Sequence, residues 1–262
     1  MKTKLYSKTS MTYLKHFILT FFIFSTFLGF SQTDSLSTFK SDLDLGADFK
    51  SRYIWRGINL GGNTPSIQPY IEFSFAKGWA IGTWGAFSFG EQATQEVDIY
   101  LTYTTPNDMF SFILTDYYFP DYSIRQGNFF HLDDSSGHVL ELGASFNGTE
   151  KFPIAFAVYT NIIGADKKIN DDGSQKNEQS FSTYLEVSYA TSVKTVDLNF
   201  FAGYVLNNKG GYYGSTDSSF INIGLTASKV IKITEHFSLP VDTSLIFNPD
   251  DENVFIVFGL TI

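Results

Sequence analysis

Hydrophobic and polar residues alternate along most of the chain after residue 32, with the period of two that is typical of a β-strand. The run that begins at Asp42 shows this most clearly, because its apolar and ionisable residues fall on opposite faces. The apolar face carries Leu43, Leu45, Ala47, Phe49, Tyr53 and Trp55, and the polar face carries Asp44, Asp48, Lys50, Arg52 and Arg56. In total the pattern predicts twelve strands, which start near Asp42, Ser66, Trp79, Glu96, Met109, His138, Ile154, Phe181, Val196, Phe220, Phe237 and Asn253.

The lengths of these runs and of the segments between them indicate a membrane barrel. Most runs have about 9 to 13 residues, which is longer than the strands of soluble sheets and suits a tilted strand that crosses a bilayer. Short connections, such as residues 105–108, alternate with long ones, such as residues 120–137. Outer-membrane barrels show this asymmetry between their two ends. We therefore predict an all-β fold, a transmembrane antiparallel up-and-down β-barrel of about 12 strands spanning residues 32–262.

The period alone does not tell which face meets lipid, since a soluble sandwich or small barrel would bury its apolar face. Aromatic residues lie near strand ends on the apolar face, as in the interfacial girdles of membrane barrels. The predicted girdle consists of Tyr53, Trp55, Trp79, Phe89, Tyr103, Phe110, Tyr189, Phe237 and Phe247. The last run also continues to Ile262 with an apolar face, as in a strand that closes a barrel. These features predict that the apolar face points outward.

The N-terminal segment has the composition of a secretory signal peptide. Four lysines precede an apolar stretch at residues 17–30, and small residues lie just before Gln32. The apolar stretch is shorter than the roughly 20 residues that a spanning helix needs. We predict that residues 1–31 are a signal peptide, and the alternative is an uncleaved N-terminal anchor.

Composition excludes several kinds of site. The chain has no Cys, so it contains no disulfide, no thiolate zinc site and no Cys nucleophile. Its formal net charge of −9 argues against a nucleic-acid partner, which would require a basic face. We expect no metal site and no cofactor.

Five short motifs in the first half of the chain follow one another in a recognisable order. They are Ser51-Arg52-Tyr53-Ile54-Trp55-Arg56-Gly57, Gln68-Pro69, Gly82-Thr83-Trp84-Gly85, Glu96-Val97-Asp98-Ile99-Tyr100 and Asp116-Tyr117-Tyr118-Phe119-Pro120. The series resembles the Gcw_chp family of exported bacterial proteins, whose members are also labelled TorF-family porins. The resemblance implies an outer-membrane β-barrel in a Gram-negative bacterium. It supplies no substrate and no catalytic residue.

A barrel of this size would be roughly 24 Å across and would leave a bore on the order of 10 Å if the inward side chains lay against the wall. The residues expected to line the lumen and contact solutes are Asp44, Asp48, Lys50, Arg52, Arg56, Glu72, Trp84, Glu96, Asp98, Tyr100, Glu141, Tyr159, Tyr184, Glu186, Asp197 and Asp242. Because acids outnumber bases in this set, the lumen is expected to favour cations. Two readings remain open: a narrow porin or small-solute channel, and a barrel plugged by arginines that pair with the acids.

The long loops and His138 suggest two alternative functions. The long loops predict an alternative role as a structural or adhesive barrel. A hydrolase is a further alternative, because His138 has acids and serines nearby, but no G-x-S-x-G or H-E-x-x-H motif is present, so we predict no catalytic residue. The expected partners are outer-membrane lipid, lipopolysaccharide, the barrel-insertion machinery, and small polar solutes or ions.

Overall fold

The computed structural model of the protein describes residues 40–90, 94–120, 129–130, 137–170, 172–214 and 217–262. The predicted signal peptide, residues 1–31, lies outside the described residues. Across the described ranges, no helix has the length and apolar character that crossing a membrane would require.

The described part of the chain folds into strands joined by turns and loops. In chain order the strands are β1 (Asp42–Lys50), β2 (Ile54–Trp55), β3 (Ile58–Asn59), β4 (Ser66–Ala76), β5 (Trp79–Ser88), β6 (Gln95–Thr104), β7 (Phe110–Tyr118), β8 (His138–Phe146), β9 (Ile154–Gly164), β10 (Lys167–Ile169), β11 (Gln175–Gln179), β12 (Thr183–Val193), β13 (Val196–Asn207), β14 (Ser219–Lys232), β15 (Ser238–Asn248) and β16 (Asn253–Thr261). Two short hairpins, β2–β3 and β10–β11, are separate from the main sheet. The other twelve strands pair antiparallel with their neighbours in sequence order, and β16 pairs back with β1 to close a barrel.

The closed barrel confirms the predicted fold and strand count. Each barrel strand begins within two residues of the predicted start of the corresponding run. The agreement arises because the alternation that predicts a strand in the sequence places successive side chains on opposite faces of the wall. One end of the barrel carries tight connections, such as residues 77–78 and 194–195, and we call it the short-turn end. The other carries longer segments, such as residues 51–65 and 165–182, and we call it the long-loop end.

The outer surface of the barrel is apolar. Leu45, Ile71 and Phe258 lie on three different strands, and 66%, 52% and 59% of their surfaces are exposed. Soluble proteins rarely leave so many large apolar side chains uncovered in one continuous band. Seven residues of the predicted girdle also lie on this outer side, namely Trp79, Phe89, Tyr103, Phe110, Tyr189, Phe237 and Phe247. The predicted orientation of the apolar face is therefore observed.

Strand β7 differs from one detail of the sequence pattern. Asp116 falls in phase with the apolar residues of this strand, which predicts a bulge, but β7 pairs with β6 and β8 without any register shift. Asp116 therefore points outward, where both its carboxylate oxygens contact Nδ1 of His138, at 2.9 and 3.0 Å. Nε2 of His138 lies 2.8 Å from the carbonyl oxygen of Phe129. The contact with His138 gives the outward carboxylate of Asp116 a polar partner near the long-loop end. The strand therefore needs no bulge to turn Asp116 toward the lumen.

The first and last strands are joined by both backbone and side-chain contacts. Lys50 of β1, Gly259 of β16 and Asp242 of β15 lie side by side in register. Lys50 Nζ donates a hydrogen bond to Asp242 Oδ1 at 2.6 Å, so the ion pair spans the intervening strand. A Cβ at position 259 would lie 2.4 Å from that Asp242 oxygen, and glycine therefore leaves the room that the ion pair occupies.

Candidate functional site

The inner wall of the barrel combines glycines with large aromatic rings. Tyr70 lies opposite Gly46, and Tyr100 lies opposite Gly82 on the neighbouring strand. A Cβ at position 82 would lie 2.4 Å from the ring and hydroxyl atoms of Tyr100, which shows that this ring rests on the glycine. The rings therefore lie along the wall and leave space at the centre of the lumen.

The β2–β3 hairpin folds back into the barrel from the long-loop end of β1. Its turn consists of Arg56 and Gly57, which have φ angles of 48° and 80°. Positive φ at both central residues is typical of a tight two-residue hairpin turn. A Cβ at position 57 would lie 1.8 Å from the carbonyl oxygen of Ile221, and Asn248 Nδ2 donates a hydrogen bond to the Gly57 carbonyl at 3.1 Å. The tip of the hairpin is thus pressed against strands β14 and β15.

A buried ion pair holds this hairpin in the lumen. The guanidinium of Arg56 donates two hydrogen bonds to Glu141 of β8, at 2.5 and 2.9 Å. Tyr117 donates its hydroxyl proton to the same carboxylate at 2.9 Å. The Glu141 side chain is 1% exposed and that of Arg56 is 11% exposed. A buried charge pair with two parallel hydrogen bonds has a specific geometry, and removing either partner would leave an uncompensated charge.

Aromatic rings surround the Arg56 guanidinium. Its central carbon lies 4.6 Å from the ring centre of Trp55, 4.3 Å from that of Tyr159 and 4.7 Å from that of Tyr184. Tyr213, from the connection between β13 and β14, stacks on Trp55 with ring centres 5.4 Å apart and an interplanar angle of 8°. A cation enclosed by several ring faces is attracted by each of them. We call the side chains of Trp55, Arg56, Glu141 and Tyr213 the arginine plug.

Five neighbouring strands on one side of the barrel pack around the arginine plug, and Tyr117 of β7 contacts it from the adjacent strand. Glu141, Tyr159, Tyr184, Val205 and Ile221 come in order from β8, β9, β12, β13 and β14. The other seven barrel strands surround a cavity of about 480 Å³ that we call the chamber. They are β15, β16, β1, β4, β5, β6 and β7. It is lined by Lys50, Arg52, Tyr53, Ile54, Trp55, Gln68, Trp84, Asp98, Tyr100, Ile113, Thr115, Tyr117, Asp242, Ser244, Ile246 and Val257.

A second, smaller cavity of about 110 Å³ lies on the other side of two aromatic rings. Trp55 and Tyr117 line both cavities, and their ring centres are 5.7 Å apart in an edge-to-face contact. These two rings therefore separate the chamber from the smaller cavity. Ile58 and Leu60, which follow the hairpin turn, line the smaller cavity.

The charged groups of the chamber are not all paired. Lys50 and Asp242 form the ion pair described above, whereas Arg52 has no hydrogen-bond or ion-pair partner among the described residues. Asp98 is only 5% exposed, and its Oδ1 atom is buried without a hydrogen-bond partner in the described part of the chain. Glu96, which was also expected to line the lumen, is 1% exposed and accepts a hydrogen bond from the Tyr53 hydroxyl at 2.7 Å. Glu96 is thus shielded by Tyr53 and does not line the chamber.

Further acids lie on the inner wall outside the chamber. Asp44 and Glu72 are direct cross-strand neighbours near the short-turn end, an arrangement in which like charges repel. Asp48 accepts a hydrogen bond from the Thr261 hydroxyl at 2.6 Å. Two more pairs place a hydroxyl on an inward acid, namely Ser192 on Asp197 and Tyr184 on Glu186, both at 2.6 Å. Of these acids, Asp44, Glu72 and Asp197 lie toward the short-turn end of their strands, and Asp48 and Glu186 lie toward the long-loop end.

Tyr53 and Trp55 are inside the barrel, whereas the alternation predicted them in the outer girdle. The reason is that β1 ends at Lys50, so the residues after it leave the barrel wall. Arg52 and Arg56, which the alternation also placed in the wall, lie in this segment as well. The inward ring of Tyr53 contacts Trp84, with centres 5.5 Å apart.

The sequence reading missed Tyr117 and Tyr213 as lumen residues. Tyr117 has the inward phase of β7, so its position could have been read from the alternation. Tyr213 lies in a connection, where no periodicity indicates a direction.

No group of three or more His, Asp or Glu side chains in the described ranges is arranged to hold a metal ion. Asp133, Asp134, Ser135 and Ser136, the residues that suggested a hydrolase beside His138, lie outside the described residues. Most of the long connection at residues 120–137 also lies outside the described residues.

The family profile described as a bacterial protein of unknown function, Gcw_chp, matches residues 33–239. The chain belongs to the Gcw_chp family. Among solved structures, a protein titled KdgM porin is similar, with a TM-score of 0.44 and 10% sequence identity, over 85% of this chain and 98% of that chain. No curated protein matches the chain.

The Gcw_chp motifs converge in space inside this barrel. The motif at Ser51–Gly57 forms the hairpin that carries the arginine plug, and Trp84 and Asp98 from two later motifs line the chamber. Tyr117, from the fifth motif, binds Glu141 and borders both cavities. Several of the residues by which the chain resembles Gcw_chp therefore line the lumen, whereas others in the same motifs, such as Ile99 and Asp116, face outward.

Proposed function

We propose that this protein is a non-enzymatic channel of the bacterial outer membrane that admits ions and small polar solutes through its lumen. The observation that carries the proposal is the chamber, a cavity of about 480 Å³ with charged and aromatic walls, enclosed by a barrel with an apolar exterior. An apolar exterior suits lipid, and a polar interior suits water and solutes. Cavities of this volume hold small molecules rather than proteins.

The outer membrane is the proposed location because closed β-barrels with apolar bands are built for it. Outward aromatic rings such as Trp79 and Tyr103, whose centres are 4.7 Å apart, would sit at the membrane interface. The lipid partners would be phospholipid and lipopolysaccharide, and insertion would require the barrel-insertion machinery.

The proposed lumen prefers cations. Among the inward bases described, Lys50 and Arg56 are neutralised by ion pairs and Arg52 is unpaired, whereas the inward acids Asp44 and Glu72 repel each other without a base in contact. Unpaired acids on the wall of a narrow pore raise the local concentration of cations.

The test is a planar-bilayer recording of the purified barrel under a salt gradient. We expect a small conductance with a reversal potential on the cation-selective side. The double variant Asp44→Asn/Glu72→Gln should move that potential toward zero, because it removes two wall charges. The matched control is Asp172→Asn, which neutralises an exposed acid in the β10–β11 turn outside the barrel and should leave the potential unchanged. An equal reversal potential in all three proteins would refute the cation preference.

A structural barrel closed by the arginine plug is the second candidate. The buried Arg56–Glu141 pair and the Trp55–Tyr117 contact favour it, since both obstruct the long-loop half. Absence of conductance from folded protein at every voltage would decide for this candidate. Its function would then lie in the outer loops.

A further inference from the structure

A groove of about 510 Å³ crosses the outer face of strands β7, β8, β9, β12, β13 and β14. Two rows of outward side chains form its rims, and the members of each row are cross-strand neighbours. One rim runs from Phe112 of β7 to Phe220 of β14, and the other lies two residues closer to the short-turn end on each strand. Glu186 also lines the groove, although its side chain points inward. Its backbone must therefore face the groove, so the floor of the groove is the backbone of the sheet.

Small side chains interrupt both rims, and aromatic rings flank the two ends. Ala144 lies in one rim and Ala202 in the other. At the β7 end, Phe110 contacts Phe146 with ring centres 5.6 Å apart. At the β14 end, the corresponding contact joins the two rings of Tyr204 and Phe220, with centres 5.0 Å apart. The groove is therefore a bounded site rather than a furrow that continues around the barrel.

The width and polarity of the groove restrict what can fill it. The rims are two residues apart along each strand, which is about 7 Å. An α-helix is about 10–12 Å wide with its side chains and is too wide to enter. A second copy of the barrel would present a convex wall that rests on the rims and leaves the floor uncovered. An extended peptide is narrow enough, but its N–H and C=O groups would find no partners, because the backbone of the floor is already paired within the sheet.

The two ends of the groove lie at different depths in the barrel wall. Phe146 is followed by Asn147, whose side chain donates a hydrogen bond to the Asp108 carbonyl at 2.9 Å, so polar groups begin directly beside the short-turn end of the groove. Beyond Tyr204, at the other end, Leu206 is 54% exposed and the apolar surface continues. A chain with a polar head would therefore enter from the short-turn end, which faces the periplasm in outer-membrane barrels.

We propose that this groove binds one acyl chain of a phospholipid from the periplasmic leaflet of the outer membrane. An acyl chain is linear and apolar, and it brings no hydrogen-bonding group to the floor. The groove has room for roughly 17 groups of about 30 Å³, the liquid volume of a water molecule, and a methylene group is of similar size. One extended chain would therefore occupy most of the groove, with its headgroup beside the short turns. The inference rests on the proposed membrane location and not on conduction.

The experiment is photolabelling of the full barrel in phospholipid vesicles. The probe is a phosphatidylethanolamine that carries a diazirine in the middle of one straight acyl chain, and labelled residues are mapped by tandem mass spectrometry. We expect several-fold more label on groove residues such as Val158 and Val187 than on Leu245 and Ile256, which are exposed on the opposite wall. The same probe with a methyl-branched chain should lose this enrichment, because branches widen the chain beyond the space between the rims.

The double variant Ala144→Leu/Ala202→Leu fills the groove from both rims and should reduce its labelling to the level of the opposite wall. The matched control is Ala47→Leu, which adds the same side chain to an outward position of β1 outside the groove and should leave the enrichment unchanged. All the substituted side chains face lipid, and heat-modifiable mobility in gels verifies that each variant has folded.

Even labelling of the groove and the opposite wall would overturn the proposal, and so would undiminished enrichment in the folded double variant. Crosslinks from the groove to a second copy of the protein in place of lipid would overturn it as well. A barrel that conducts but is labelled evenly would contradict the lipid site and leave the proposed channel intact.

Discussion

At the scale of single residues, Arg56 is the side chain on which the interior of this barrel depends. Its guanidinium binds Glu141 and is enclosed by the rings of Trp55, Tyr159 and Tyr184. Neither charge is accessible to water to any large extent, so each depends on the other for solvation.

We predict that Arg56→Gln lowers the free energy of unfolding by about 3–5 kcal/mol, because Glu141 is left as a buried, unpaired charge. The measurement is equilibrium urea unfolding in lipid vesicles. The double variant Arg56→Gln/Glu141→Gln should recover part of the loss, since two neutral amides can hydrogen-bond to each other.

The matched control is Lys168→Gln, which breaks the exposed ion pair with Glu178 in the β10–β11 hairpin. There the hydrogen bond from Lys168 lowers the pKa of Glu178, but the pair is open to water and contributes little. If Arg56→Gln were no more destabilising than Lys168→Gln, the arginine plug would not hold the hairpin in place.

The sequence could predict that Arg56 faces the lumen but not which acid it binds. The partner in the structure is Glu141, 85 positions away along the chain. Which inward residues meet across a lumen depends on barrel closure and on the hairpin that folds into it. Neither is encoded in a local period.

At the scale of elements, the barrel strands follow from alternation, and the β2–β3 hairpin does not. Apolar and polar residues continue to alternate from Lys50 to Arg56, so a strand in the wall and a hairpin inside the lumen give the same pattern. The residue that distinguishes the hairpin from a wall strand is Gly57, because glycine permits both the tight turn and the close approach to Ile221.

We predict that Gly57→Ala displaces the tip of the β2–β3 hairpin from strand β14 and lowers the free energy of unfolding. The added Cβ would overlap the carbonyl of Ile221, and overpacking of this kind costs about 1–3 kcal/mol beyond the strain of positive φ. Gly62→Ala is the matched control, because Gly62 also has a positive φ, of 66°, but has no atom within 4 Å of an added Cβ. The measurement is the difference between the two variants in unfolding free energy. Equal losses would show that the hairpin tip does not contact β14.

At the scale of the whole molecule, the barrel has two unlike halves. Strands β8, β9, β12, β13 and β14 pack around the arginine plug, seven strands surround the chamber, and β7 contributes to both through Tyr117. The sequence predicted a closed barrel with a polar lumen, because faces and strand lengths are local properties. It left open whether the lumen conducts, since that depends on where one hairpin lies.

The contact between Trp55 and Tyr117 is the point where the two cavities are separated, and opening it tests the channel account most directly. The measurement is the single-channel conductance of the wild-type protein, of Trp55→Ala, and of the control Trp79→Ala, which removes a ring from the outer girdle. The account predicts a small conductance for the wild-type and Trp79→Ala proteins and a several-fold larger one for Trp55→Ala. Identical conductance in all three folded proteins, or none in any of them, would contradict it.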